Sequence, residues 1–434
     1  MNSSTRNVLA AIVAMLLAPS GPAAADDDTL QKMVIVSRHG VRTPVVPARE
    51  LALWTTQQWP VWAEPPGDLT ARGARLVTLV GRYHRDVLIA EHLFPEQGCP
   101  ARGSMVIHAD NPERTKATAQ ALLDGLAPGC GLTFRTKADA RIDGLFHPLQ
   151  AGVCRLDPLV AQTEVLKRAS GDLNRALLDL KGPLAPLQAA LDCCKPALCS
   201  AYGRGESCKL PDLPTGMSPL PDGRGLELVG GLAIAAEAAE TILLEYAEGI
   251  ESSGVAWGRL DAARMLQTFR LHTEALDLME RTPYIARRQG SALLMKAAAA
   301  ITSGRSAGLG VADNDVRDAK FVAYVGHDTN IANLAAIMDV SWTQPGYQRN
   351  QTPPAGALVF ELRQGSDRKQ RIYTSYLAQS LEQMRGARPL PPDAPPVKTP
   401  LKLPGCSANA PGYPCLIDEF AIAIRNAIDR ECVE

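Results

Sequence analysis

Short apolar runs alternate with amphipathic stretches over the first third of the chain. A β-branched run at residues 33–36 predicts a buried strand, and apolar residues spaced three and four apart after Thr70 predict a long helix. A second strand is predicted at Met105–Ala109, followed by another helix, and a third strand at residues 132–134. The order strand, helix, strand, helix, strand is typical of an α/β sheet with crossover helices.

The pattern changes between residues 155 and 281, where helical periodicity replaces the strand-like runs. Residues 226–249 are predicted as one of these helices, and a Pro/Gly-rich stretch at 211–225 precedes it. We therefore expect a mostly helical subdomain at 155–281, inserted into an α/β domain that consists of 26–154 and 282–434. In the second part of that domain, strands are predicted at residues 321–325, 357–362 and 371–376, and a terminal amphipathic helix at 417–428.

Residues 1–25 have the pattern of a secretory signal peptide. Arg6 provides a basic start, residues 8–18 are apolar, and Ala23 to Ala25 form a small-residue cleavage site. The apolar run is too short to span a membrane, and no later stretch is long and apolar enough. We therefore expect a periplasmic or otherwise secreted protein that has no membrane contact once the signal is cleaved.

Composition narrows the possible partners. The chain has 434 residues, 46% of them hydrophobic and 21% charged, which is ordinary for a globular protein, and its formal net charge is −1. So small a net charge gives no general attraction to nucleic acid or to anionic membranes. We expect a monomer that binds a small molecule, with any affinity for anions confined to a local site.

The ten cysteines fit an oxidising compartment, where disulfides persist. A zinc site is the alternative for the group Cys193, Cys194, Cys199 and Cys208. Adjacent cysteines lack the usual two-residue spacing, however, and no histidine follows at ligand distance, so we expect no metal there. His84, in the first long helix, is expected on the solvated face of that helix rather than at a metal.

The clearest chemical signal follows the first strand directly. It is the run Arg38-His39-Gly40-x-Arg42-x-Pro44, which the glycine and proline predict to be a loop. In α/β sheets, ligands bind in the crevice beyond the carboxyl ends of the strands. Two guanidinium groups beside an imidazole suit a tetrahedral oxyanion, because each planar fork can hold two oxygens. The run therefore predicts a phosphate site.

Two other stretches have the same placement. His327-Asp328 follows the predicted strand at 321–325 and precedes a helix, and Arg114 opens the helix after the second strand. Helix N-termini favour anions. Taken alone, the first pair is equally consistent with a turn histidine beside a helix-capping aspartate, and Arg114 with an ordinary surface arginine.

Together these motifs resemble the signature of the histidine acid phosphatases, the branch of the histidine phosphatase superfamily that includes bacterial phytases and glucose-1-phosphatases. The resemblance implies a phosphoglycerate-mutase-like three-layer α/β domain with a helical insertion, and it implies neither a cofactor nor a metal. It implies that His39 is the nucleophile and Asp328 the proton donor. The residues implied to bind phosphate are Arg38, Arg42, Arg114 and His327.

The resemblance also implies a disulfide pattern that spacing alone could not provide. The implied pairs are Cys99–Cys130, Cys154–Cys432, Cys199–Cys208 and Cys406–Cys415. Cys193 and Cys194 fall outside this scheme. A vicinal disulfide, two free thiols and an intermolecular bond all remain open for these two residues.

The sequence leaves the preferred substrate open between two kinds of phosphate ester. Just after the proline of the first motif, phytase relatives carry a polar pair with a lysine, whereas this chain has Val45 and Val46. Glu240 is either part of the leaving-group pocket or on a solvated helix face. We expect an acid phosphomonoesterase with phytase as its first candidate activity and a sugar-phosphate phosphatase of the glucose-1-phosphatase type as the alternative. A phosphate-binding protein without catalysis is a remoter alternative, because binding alone needs neither His39 nor Asp328.

Overall fold

The computed structural model describes residues 28–138, 142–220, 224–304, 309, 314–406 and 408–433. The predicted signal peptide at 1–25 lies outside these residues. Within the described residues, no helix is long and apolar enough to cross a membrane.

The described residues contain nine strands and fifteen α-helices. The strands are β1 (Thr29–Arg38), β2 (Met105–Ala109), β3 (Gly216–Pro219), β4 (Leu226–Val229), β5 (Phe321–Gly326), β6 (Ala357–Gln364), β7 (Gln370–Ala378), β8 (Val397–Pro400) and β9 (Cys415–Leu416). The helices are α1 (Ala48–Leu51), α2 (Ala71–Ala90), α3 (Glu113–Leu126), α4 (Pro158–Arg168), α5 (Leu173–Asp179), α6 (Lys181–Leu191), α7 (Pro196–Ala201), α8 (Gly231–Glu248), α9 (Ala262–Thr268), α10 (Arg270–Met279), α11 (Pro283–Ile301), α12 (Asn314–Asp318), α13 (Asp328–Ile337), α14 (Leu381–Gly386) and α15 (Ile417–Ala427).

The main sheet is mixed and has seven strands in the order β2-β5-β1-β6-β7-β8, with β9 paired to β7. Strands β2, β5 and β1 run parallel to one another, and β6 is antiparallel to β1. The three parallel strands therefore end at the same edge of the sheet. The residues that follow them come together there, as expected for a ligand site in an α/β fold.

Alternate residues of β1 enter two different cores, because successive side chains of a strand point to opposite faces. Met33 and Ile35 pack in the core that contains α2 and α3, whereas Val34 and Val36 pack in the core that contains α11 and α13. Helices therefore cover both faces of the sheet. This arrangement confirms the predicted three-layer α/β fold.

The segment between β2 and β5 includes helices α4 to α10 and a small antiparallel hairpin of β3 and β4. Its buried residues, such as Leu187 and Leu244, belong to the same core as Ile35 of the central strand. We propose that residues 155–281 form an inserted subdomain that packs on the α/β part, which consists of 26–154 and 282–434.

Two local predictions were wrong. Residues 132–134 form no strand, since the only pairing in this region is a single bridge between His108 and Arg135. Residues 226–249 are not one helix, because Gly230 has φ +85° and a Cβ there would lie 1.7 Å from the Pro214 carbonyl oxygen. This backbone conformation ends strand β4 and lets helix α8 begin at Gly231.

His84 also differs from the prediction. Its side chain is buried, and its ring lies 5.7 Å from that of Phe321 in the central sheet. The buried face of α2 contains Leu76, Leu79 and Val80, and it is wide enough to include His84 as well.

Ten cysteines form five disulfides among the described residues. Four of them are the pairs Cys99–Cys130, Cys154–Cys432, Cys199–Cys208 and Cys406–Cys415. The fifth joins the neighbours Cys193 and Cys194, which the sequence had left open. The Cys154–Cys432 bond ties the chain end to the start of the insertion.

Buried Glu245 of helix α8 makes the stability of the fold depend on pH. Burial raises the pKa of its carboxyl group to about 8, while one oxygen accepts a hydrogen bond from the Ala256 amide at 2.9 Å. As the pH rises, this carboxyl group ionises more easily in the unfolded state than in the folded one. Its contribution to the free energy of unfolding is therefore complete below the unfolded pKa and is lost as the pH rises through 8.

We therefore expect Glu245→Gln to flatten the pH dependence of the free energy of unfolding between pH 5 and 8. The wild type should lose roughly 4 kcal/mol more than the variant over this range. Urea denaturation at a series of pH values measures the difference. Glu227→Gln, at an exposed glutamate of β4, is the control and should follow the wild type. The same pH slope in all three proteins would show that Glu245 is ionised in the folded state.

Candidate active site

The candidate residues come together at one place in the fold. They lie at the ends of strands β1, β2 and β5 and at the start of helix α3. Arg38 is the last residue of β1 and His39 follows it, and the His39 amide donates to the Gly326 carbonyl at the end of β5. His327 and Asp328 come directly after that glycine, at the start of α13. The structure thus brings the two predicted motifs, which are almost 300 residues apart in sequence, to one edge of the sheet.

The loop after His39 is held against helix α2. The Thr70 amide donates to the Val41 carbonyl at 3.0 Å, and the Thr70 side chain caps the helix by accepting from Gly73. A Cβ on Gly73 would lie 2.1 Å from the Val41 oxygen, so only glycine allows the helix to approach this loop so closely. The backbone that carries Arg42 is therefore fixed.

His39 is buried, and its Nδ1 lies 2.8 Å from the Gly40 carbonyl oxygen. A carbonyl only accepts hydrogen bonds, so Nδ1 carries the proton and Nε2 keeps its lone pair. Burial and the nearby guanidinium groups of Arg38 and Arg42 hold the pKa of His39 well below its usual value. The imidazole therefore stays neutral and nucleophilic in acid.

Arg38 is fully buried and has partners on several elements. It donates to the Thr352 carbonyl at 2.5 Å, pairs with Glu240, and lies 3.2 Å from an oxygen of Asp328. Burial lowers its pKa, but the charges of Asp328 and Glu240 outweigh this and raise it above the usual value. Its position is thus determined by both the sheet and the insertion.

Arg42 and Arg114 complete a group of three guanidinium groups. Arg42 donates to the Thr43 carbonyl at 3.0 Å, and Nη2 of Arg114 lies 3.4 Å from Nδ1 of His327. Burial lowers the pKa of both arginines, and repulsion adds to this effect, from Arg38 for Arg42 and from Arg42 for Arg114. The buried Nε atoms of all three arginines have no hydrogen-bond partner among the described residues. Unused donors grouped in this way fit a site for an oxyanion.

Asp328 lies beside this group. Burial raises the pKa of its carboxyl group, but Arg38 and His272 outweigh that effect and hold the pKa well below its usual value. In the free protein, Asp328 is therefore a carboxylate. A negatively charged substrate near Arg38 would counter the positive field and raise this pKa.

His272 is a site residue that the sequence did not reveal. It lies on α10 of the insertion, and its Nε2 is 3.6 Å from Asp328 and 3.7 Å from Glu240. Burial lowers its pKa, but these two carboxylates outweigh that effect and raise it. Nothing in the amphipathic pattern of α10 distinguishes this histidine, because only the packing of the insertion brings it to the site.

Asp110 and His147 were also missed. One oxygen of Asp110 accepts hydrogen bonds from His327 and from His147, both at 2.7 Å. Burial opposes ionisation, but these bonds hold the pKa of Asp110 below its usual value. Asp110 follows β2 just as His39 follows β1, so its position at a parallel strand end was a usable signal. It orients the ring of His327.

The three residues predicted for the substrate pocket have different surroundings. Glu240 is buried against Arg38, so the interpretation as a solvated helix face was wrong. Val45 is exposed. Val45 and Arg114 both lie next to Gly67, since a Cβ added to this glycine would be 3.4 Å from Cγ1 of Val45 and 3.8 Å from Nη1 of Arg114. Val46 lines a cavity beside the site.

Two groups of three side chains have donor atoms within 4.8 Å of one another, the spacing of a metal site. They are Asp110, His147 and His327, and Glu240, His272 and Asp328. In the first group the carboxylate joins the two imidazoles, and in the second both carboxylates also contact Arg38. These pairings account for the proximity of the side chains.

The fold and the grouping of a neutral histidine with three arginines define a phosphatase of the histidine type. The family model of the histidine phosphatase superfamily (branch 2) matches residues 29–377, and the chain belongs to this family. It is an enzyme, a phosphomonoesterase of the histidine acid phosphatase type.

Individual relatives agree with this assignment. The chain is 36% identical over 404 residues to the phytase AppA of Escherichia coli (strain K12), with 92% of each chain covered. It is 28% identical to a glucose-1-phosphatase of Salmonella typhimurium, and the match covers 90% of this chain and 91% of that protein. Among solved structures, Hafnia alvei phytase in complex with tartrate matches with a TM-score of 0.87 and 32% identity, covering 94% of this chain and 99% of that one.

Proposed function

We propose that this enzyme hydrolyses phosphomonoesters in acid through a phosphohistidine on His39, and that phytate is one of its substrates. The main support is the neutral His39, which has a free Nε2 and whose pKa is lowered by Arg38 and Arg42, together with Asp328, which lies 3.2 Å from Arg38. The similarity to proteins named as phytases supports phytate as a substrate.

In the first step, Nε2 of His39 attacks phosphorus and the bond to the ester oxygen breaks. The phosphoryl oxygens are held by Arg38, Arg42 and Arg114, and by His327 when its Nδ1 is protonated, because its Nε2 already donates to Asp110. A guanidinium about 4 Å from a phosphate charge contributes roughly 4 kcal/mol at an effective dielectric constant of about 20. Because the arginines are already in place, they stabilise the charge of the transition state without reorganisation.

Asp328 donates its proton to the leaving oxygen in this step. Its pKa is low in the free enzyme, and the bound phosphate dianion raises it by opposing Arg38. In the second step Asp328 accepts a proton from the water that attacks the phosphohistidine, and phosphate is released. Since Asp328 must be protonated first, we expect an optimum near about pH 4–5.

A sugar monophosphatase is the second candidate function. It is favoured by Val45 and Val46, which provide no cation where the substrate meets the loop after the motif. Phytate carries several phosphates and loses more by this absence than a monophosphate does.

Location and oligomeric state belong to the same proposal. We expect the enzyme to act in the periplasm as a monomer. The five disulfides support an oxidising compartment.

A substrate panel tests the proposal. Initial rates of phosphate release from phytate and from glucose 1-phosphate are measured between about pH 3 and 9, the range that separates an acidic from an alkaline optimum. We expect release from both, with the optimum in acid. An optimum above neutrality would contradict the role of Asp328, and release from glucose 1-phosphate alone would favour the second candidate.

A further inference from the structure

A cavity of about 560 Å³ lies directly beyond the phosphate motif. Its wall includes Thr43, whose carbonyl accepts the hydrogen bond of the Arg42 guanidinium at 3.0 Å. The lining also includes Thr241, the neighbour of Glu240, which pairs with Arg38. Residues next to two members of the phosphate site therefore line the cavity. A volume of this size is in the range of small-molecule pockets.

The lining of this cavity is mainly apolar. Val46, Val61, Trp59 and Trp62 contribute to it, and no arginine does. Its only two charged lining residues are Glu64 and Lys195, and their charges cancel. A polyphosphate group placed here would lose its hydration against a single cation, Lys195, which Glu64 offsets.

The aromatic part of the lining is fixed before any ligand binds. The indole N–H of Trp59 donates to the Leu51 carbonyl at 2.9 Å, and its ring packs edge-on against Trp257 at 4.7 Å between centroids. The indole of Trp257 in turn donates to the Gln58 carbonyl at 2.7 Å. The loop therefore presents a rigid apolar surface, which reduces the entropic cost of binding a planar group.

We propose that this cavity binds the alcohol part of the substrate and that it favours aromatic or other apolar alcohols. The proposal rests on the proposed phosphatase function, because the phosphate must be held by the arginines for the alcohol part to reach the cavity. Part of the hydroxyl or phosphate groups of a sugar or an inositol phosphate would face valine and tryptophan side chains and lack hydrogen-bond partners there, whereas Gln57 and Gln58 of the lining could bind others. An aryl group would instead replace water at these side chains and stack on the indoles.

Non-hydrolysable phosphonates separate binding from leaving-group reactivity. Inhibition constants are measured at about pH 5, near the expected optimum, for methylphosphonate, which can fill only the phosphate site, and for benzylphosphonate, which also reaches the cavity. For the wild type, we expect benzylphosphonate to bind roughly 20-fold tighter, from the apolar area that one ring buries.

Two variants test whether the tighter binding of benzylphosphonate comes from the cavity. In Val46→Lys and in Trp62→Ala, we expect the ratio of the two inhibition constants to fall below about 5, because a buried charge or a lost ring removes the apolar contact. Val160→Lys, at an exposed valine of α4, is the matched control and should keep the wild-type ratio. Methylphosphonate binding shows in each variant that the phosphate site is intact.

The outcomes are distinguishable. Equal inhibition constants in the wild type would overturn the inference while leaving the phosphatase function in place. A ratio unchanged in both cavity variants would overturn it as well. If neither phosphonate nor inorganic phosphate inhibits, the proposed phosphate site itself fails, and the inference fails with it.

Discussion

His39→Ala is expected to lower kcat by at least four orders of magnitude on every phosphomonoester. Alanine removes the only group placed to form the covalent intermediate, and loss of a nucleophile typically costs about 10⁴ to 10⁶ in rate. The arginines remain in position, since Arg38 is held by Thr352 and Glu240 rather than by His39. Phosphate should therefore still bind.

Three measurements check this expectation. Steady-state rates give kcat, acid quenching with labelled substrate traps the phosphoenzyme in the wild type, and calorimetry measures phosphate binding to the variant. His92→Ala, at an exposed histidine, is the control and should keep wild-type turnover. A His39→Ala protein that still forms a labelled phosphoenzyme would show that another residue is the nucleophile.

Asp328→Asn is expected to slow the hydrolysis of alkyl phosphates by about 10² to 10⁴, the usual contribution of a general acid. Asparagine cannot donate the proton, so the loss should be much smaller for nitrophenyl phosphate, whose leaving group departs as a stable anion. The variant also removes a negative charge 3.2 Å from Arg38. We therefore expect tighter binding of the phosphate dianion.

The ratio of kcat values for an alkyl and a nitrophenyl ester measures this effect directly. Asp339→Asn, at an exposed aspartate just after the same helix, is the matched control. An equal loss on both esters would mean that Asp328 positions the substrate without transferring a proton.

Much of the catalytic core could be predicted because it depends on local signals. Arg38, His39 and His327 each follow an apolar strand, and parallel strands bring their ends together whatever the intervening chain does. The strand at residues 132–134 was overpredicted because a run of three residues, two of them apolar, carries too little information to distinguish a strand ladder from a single bridge.

The surroundings of Glu240, which the sequence left open, and the position of His272, which it missed, depend on long-range packing. Glu240 contacts Arg38 across 202 positions of sequence, and His272 reaches Asp328 only when α10 docks beside α13. Helical periodicity could place Glu240 on a face of α8 but could not identify the partner of that face. A buried arginine needs a counter-charge, yet the sequence does not reveal which carboxylate provides it.

The contacts of Arg38 and Asp328 with the insertion mean that the active site is assembled from two parts of the chain. Glu240 comes from helix α8 and His272 from helix α10, and both helices lie between β2 and β5. A chain whose insertion has not yet docked would leave Arg38 without its carboxylate and Asp328 without its imidazole. The active site is therefore complete only when these helices are docked on the α/β part of the chain.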